Sequence, residues 1–162
     1  MRKISTYLIL ITLTGCTQER ITAESILGLQ DQFRGISIGD DLETVLTELD
    51  CAEVMPYSND RIDGFSELDK KSTLQVSLEL NEEHLVAIQA DIFLSDEAET
   101  IRIMDELSKL LTSRYGPRVD RSDFRVWLDQ GGKMQPTEFA LADESAETGL
   151  PKLSITIYNF ER

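Results

Sequence analysis

Two consecutive stretches alternate apolar and polar residues with a period of two. In TLQVSLEL, Leu74, Val76, Leu78 and Leu80 take every second position, and in HLVAIQADIFL Val86, Ile88, Ala90, Ile92 and Leu94 do the same. Residues two apart on a strand share a face, so each stretch reads as a strand with one apolar side. The connection NEEH is of hairpin length and predicts that the two strands pair antiparallel. A sheet with one wet face must bury the other, so the rest of the chain has to supply a covering layer.

Two helical patterns can do this. In GISIGDDLETVLTELD, Leu42, Val45, Leu46 and Leu49 fall at i, i+3, i+4 and i+7, one face of a helix. Asp40 with Glu43 has capping-box spacing. In SDEAETIRIMDELSKLLTSRYGP, Ser95 or Asp96 caps a helix whose stripe is Ala98, Ile101, Met104, Leu107 and Leu111, stopped by Gly116 and Pro117. Ile26, Leu29 and Phe33 predict a short lead-in helix. Later strands are expected in DFRVWLD (Phe124, Val126, Leu128), turned by Gly131-Gly132, and in MQPTEFALA, where Pro136 marks an edge or strand entry. KLSITIYNF follows, with Leu153, Ile155 and Ile157 on one face and Tyr158 and Phe160 on the other. The expected fold is α+β: an antiparallel sheet with two main helices on one face, in the order helix, strands, helix, strands. No internal sequence repeat or long linker divides it.

The N-terminus has a different character. Arg2 and Lys3 precede a short apolar run that ends at Leu13-Thr14-Gly15-Cys16. Crossing a bilayer takes about 20 apolar residues, so a removed signal peptide is expected here rather than a spanning helix. Leu13-Thr14-Gly15-Cys16 resembles the lipobox of bacterial lipoproteins. That resemblance implies a diacylated Cys16 thiol, cleavage before Cys16 and acylation of the new amine. Thr17 in place of Asp implies sorting to the outer membrane, facing the periplasm. The chain then divides into a signal peptide (1–15), a lipidated tether (16–25) and one α+β domain (26–162).

Without Arg2 and Lys3, 14 basic residues face 30 acidic ones, a net charge of about −16. Phosphate backbones and anionic headgroups repel such a surface, which excludes nucleic acid as a natural partner and leaves membrane attachment to lipid on Cys16. Attraction to a basic protein is the positive expectation. With Cys16 acylated, Cys51 is the one remaining thiol, expected to be buried, the alternative being a disulfide between chains.

ISIGDDLETVLTEL is similar to the entry helix of small envelope lipoproteins of the barrel-assembly type and of β-lactamase-inhibitor-like domains. The resemblance implies a helix packed on an antiparallel sheet. Strand count and loops differ from both families, so it implies no site residues.

Catalytic patterns are missing from the sequence. His84 is the one histidine, too few for a zinc site or for more than one triad. SNDRIDGFSELDK fails as a calcium loop because Arg61 and Lys70 fall where oxygen ligands belong. No phosphate-binding glycine loop precedes a helix. No metal or cofactor is expected. Arg114, Arg118, Arg121 and Arg125 cluster within twelve residues against the overall charge; they suit an acidic group on a partner or on this protein's own surface. Trp127, Tyr158 and Phe160 are candidate contact aromatics, with Trp127 and Tyr158 equally suited to packing against the sheet. These features predict a non-catalytic lipoprotein that binds an envelope protein. Its alternatives are an immunity or inhibitor protein against a basic periplasmic toxin or hydrolase, and a carboxylate-dependent envelope enzyme.

Overall fold

Glu82 and Glu83 turn the chain with φ of 49° and 66°, the two positive values that a type I′ hairpin turn demands. They join β3 (Thr73–Asn81) to β4 (His84–Phe93), which pair antiparallel. The computed structural model describes residues 20–58, 60–130 and 136–159. The expectations for residues 1–19 with Cys16, for Gly131-Gly132 and for Phe160 therefore lie outside the described residues.

In β3, Leu74, Val76, Leu78 and Leu80 are buried as their alternation predicts. β4 departs by one residue. The register shifts between Glu79 and Leu80, with Glu79 opposite Ala87 and Leu80 opposite Leu85. Val86 is the extra residue of this bulge, and Leu85 takes the core position expected of Val86. Before this hairpin lie β1 (Glu53–Ser58) and β2 (Arg61–Glu67). The core side of β2 carries Ile62, Gly64 and Ser66, too weak an apolar pattern to announce a strand. Gly64 is needed there because Cys51 packs over it: a Cβ would stand 3.1 Å from the Cys51 Sγ. Cys51 is only half-buried, and that burial raises its thiol pKa.

After β4 come α3 (Glu97–Tyr115), β5 (Val119–Arg121), β6 (Phe124–Asp129), β7 (Thr137–Asp143), a short α4 (Ser145–Thr148) and β8 (Lys152–Asn159). Ahead of β1 lie α1 (Ala23–Leu27) and α2 (Leu42–Glu48). One eight-stranded sheet results, ordered β1-β2-β3-β4-β8-β7-β6-β5, with every paired neighbour antiparallel. The fold is α+β. β4 and β8 meet at the centre, Ile88 opposite Ile157. Each half of the sheet runs from its outer edge inward, β1 to β4 and β5 to β8. The architecture thus repeats although the sequence does not.

α3 lies against β6, β7 and β8, and buries Ile103, Met104, Leu107 and Leu111. Its cap is Asp96, which accepts from the Glu99 N–H at 2.9 Å. Ile101, expected in the apolar stripe, is 57% exposed, and Ile103 holds the core position instead. In α2 the cap is Asp41, accepting from the Thr44 N–H at 2.8 Å. Asp40 instead accepts from the Ser37 N–H at 2.7 Å, so the helix starts one residue later than expected. Val45 and Leu49 are buried while Leu46 faces out. α1 ends at Gly28, whose φ of 84° breaks the lead-in helix before Leu29, which is exposed. Two arginines fasten this segment to α3: Arg102 donates to the Ile21 carbonyl and Arg114 to the Gly28 carbonyl, both at 2.8 Å. Among the described residues, no helix is long and apolar enough to cross a membrane.

Candidate functional site

β7 has an unusual composition for a central strand. Phe139 and Leu141 point to the helical core, and Phe139 stacks on Tyr115 of α3 at 4.3 Å between ring centroids. Because faces alternate along a strand, Glu138, Ala140 and Ala142 line the other face. Their neighbours across the pairing are Tyr158, Thr156 and Ser154 on β8 and Leu128, Val126 and Phe124 on β6. Solvent reaches this face, since Gln75, Glu79 and Gln89 are exposed along it. At β7 the small side chains lie below larger neighbours and form the floor of a trough. It has a volume of about 390 Å³ and is lined by Arg121, Phe124, Val126, Glu138, Ala140, Thr156 and Tyr158.

A buried carboxylate sits in this trough. The Glu138 side chain is only 3% exposed, and the Arg121 Nη1 lies 2.8 Å from its Oε2. The Tyr158 hydroxyl donates to Oε1. Burial, then the hydrogen bond to Glu138 and the charge behind it, push the Tyr158 hydroxyl pKa up to about 12. A buried carboxylate needs such partners, because an unpaired charge in a dry site is strongly unfavourable. Elsewhere on the same face, Arg61 pairs with Asp63 at 3.1 Å and Lys152 with Glu144 at 2.7 Å and Asp91 at 3.2 Å. Burial works against the Lys152 charge, but its bonds to Glu144 and Asp91 outweigh that and raise its pKa. By strand register, the acids Asp63, Glu67, Glu79, Asp91 and Glu138 outnumber the bases Arg61, Arg121 and Lys152 on this face.

The candidates read from sequence separate here. Arg121 and Tyr158 come together around Glu138. Arg114 is spent on the Gly28 carbonyl, and Arg118 pairs with Asp120 at 3.2 Å. Arg125 lies on the helical side, donating to the Ser108 Oγ at 2.7 Å with Asp105 at 3.6 Å. The arginines therefore form no single receptor, because alternation along β5 and β6 sends Arg121 and Arg125 to opposite faces. Trp127 is 1% exposed, and its Nε1 donates to Thr112 of α3 at 3.0 Å. It is a core anchor rather than a contact aromatic. Sequence reading missed Glu138. Its one signal is the alternation Glu138, Ala140, Ala142 against Phe139, Leu141, and that acquires meaning only once Tyr158 is known to stand opposite.

Among the described residues, no group of three His, Cys, Asp or Glu side chains is placed to hold a metal ion. No protein-family model matches the chain, and no curated protein matches it. Among solved structures it is similar to a cysteine-rich secretory protein from Staphylococcus aureus, at 15% identity and a TM-score of 0.31. The match covers 86% of this chain and 50% of that one, so this chain spans about half the length of that protein.

Proposed function

We propose that the protein is a non-catalytic binding module, anchored by lipid on Cys16 to the outer membrane, that holds a basic envelope protein against its uncovered sheet face. The observation that carries this reading is the uncovered face itself. Eight strands at about 4.8 Å spacing make it roughly 34 Å wide, and seven residues of strand make it roughly 23 Å tall. The product, on the order of 800 Å², matches what one partner contributes to a standard-size interface. Both main helices, α2 and α3, belong to the opposite side in this reading, and Gln75, Glu79 and Gln89 stand exposed on this one.

Composition agrees with a docking role. The floor is made of Val126 and Ala140, both buried, with half-exposed Phe124 rising beside them. Apolar ground with a few polar groups is what interface centres offer. The face carries more acids than bases, and the net charge of about −16 steers a cationic protein toward it. An immunity or inhibitor protein against a basic toxin or hydrolase is the narrower version of the same reading. The enzyme alternative fits less well: glycoside hydrolysis takes two carboxylates, and among the described residues Glu138 is the one carboxylate lining the trough, already engaged by Arg121 and Tyr158.

Site-specific photo-crosslinking in the envelope tests the placement. A crosslinker at Phe124, on the open face, should capture the partner, and one at Leu29, 78% exposed at the end of α1, should not. Capture from Leu29 alone would move the interface to the helical side.

A further inference from the structure

We infer that the trough around Glu138 is a receptor for an arginine side chain presented by the protein partner, and that Arg121 fills it in the free protein. This rests on the reading of the open face as a protein-binding surface and names the group that the face recognises.

The chain's own arginine identifies the chemistry. The Glu138–Arg121 pair is lopsided, with side-chain exposures of 3% and 49%. Glu138 is fixed on a strand paired on both sides and by the Tyr158 hydroxyl. Arg121 comes from β5, a three-residue edge strand whose residues are all exposed. The carboxylate is thus permanent and the cation is exchangeable. A carboxylate can accept about four hydrogen bonds; among the described residues Arg121 and Tyr158 supply two, which leaves acceptor capacity there. Two aromatic rings, Phe124 and Tyr158, line the same trough and attract a guanidinium through their π-faces. Val126 and Ala140 provide apolar ground for its methylene stem. Arginine suits the site better than lysine, because its flat fork can engage both carboxylate oxygens while its plane lies on a ring. Exchange keeps Glu138 paired throughout, which avoids stranding a buried charge. The displaced Arg121 then lies at the edge of the interface, available to an acid on the partner.

The test uses capped arginine, N-acetyl-arginine methylamide, as the probe. In the Arg121→Ala protein it should raise the thermal midpoint progressively over the millimolar range. Wild type should respond several-fold more weakly, because Arg121 competes. The double variant Arg121→Ala/Glu138→Gln should not respond, nor should any variant respond to capped norleucine. Should Arg121→Ala prove unfolded alone, recovery of its folded circular dichroism on adding capped arginine is the supporting result. Equal responses of the single and double variants, or none in Arg121→Ala, overturn the assignment. Photo-crosslinking at Phe124 reports separately: capture there without any arginine response removes the arginine receptor and leaves the binding face standing.

Discussion

Tyr158 and Glu138 stand directly opposite each other on β8 and β7, and the phenol donates to the carboxylate. Burial and that bond raise the tyrosine pKa to about 12 from an ordinary 10.0. Tyrosine is neutral when protonated, so the folded state favours the protonated form. The resulting stabilisation is complete below pH 10 and is lost as pH rises through about 12. Tyrosinate absorbance should show a step near 12 that vanishes in Tyr158→Phe and moves toward 10 in Glu138→Gln. A step that stays in place in Glu138→Gln would contradict the bond.

Two glycines should respond very differently to a methyl group. Gly35 has φ of 88°, and its Cβ would stand 2.5 Å from the Glu48 backbone oxygen, whereas Gly149 has φ of 70° and nothing within 4 Å. Gly35→Ala combines left-handed strain with a clash that only backbone movement relieves, for a loss of about 3 kcal/mol or more. Gly149→Ala bears the strain alone, about 1 kcal/mol. Denaturant unfolding of the two variants measures the gap.

Much of this architecture was legible in the residues. Leu74 to Leu80 declare β3 because every second side chain is apolar. Ile103 and Leu85 depart from the simple periodicity for local reasons: a helical stripe can rotate by one position, and the Val86 bulge shifts everything before it. β2 was invisible because Gly64 and Ser66 occupy its core side, where packing by Cys51 requires a small residue. The four arginines looked like one cluster in sequence, but a strand's period of two separates Arg121 from Arg125. Glu138 could not be recognised as a site residue at all, since its meaning comes from partners 17 and 20 positions away.

Trp127 tests the division between the two faces. Buried against α3 through Thr112, it contributes to stability: Trp127→Ala should lose about 3–5 kcal/mol, and Thr112→Val about 1 kcal/mol. Trp127→Phe, if folded, should retain the partner as wild type does, while Phe124→Ala should not. Loss of partner from a folded Trp127→Phe protein would place the interface on the helical side.

Lipidation at Cys16 is a separate prediction. Cys16→Ser should accumulate as the longer precursor, since cleavage in lipoproteins follows acylation of the thiol. Intact mass of membrane-derived wild type should exceed the unmodified chain from Cys16 by the acyl groups. An unmodified mature chain would remove the anchor.

Binding of a basic protein by the uncovered sheet face is what we propose. Its most direct measurement is retention from envelope extract on immobilised wild type, Phe124→Ala and Glu138→Gln, each at low and at high salt. Wild type should hold one basic protein, released as salt rises, weakened at least several-fold by Glu138→Gln and lost with Phe124→Ala. Retention that both substitutions leave unchanged, or a retained protein that is itself acidic and indifferent to salt, would contradict it.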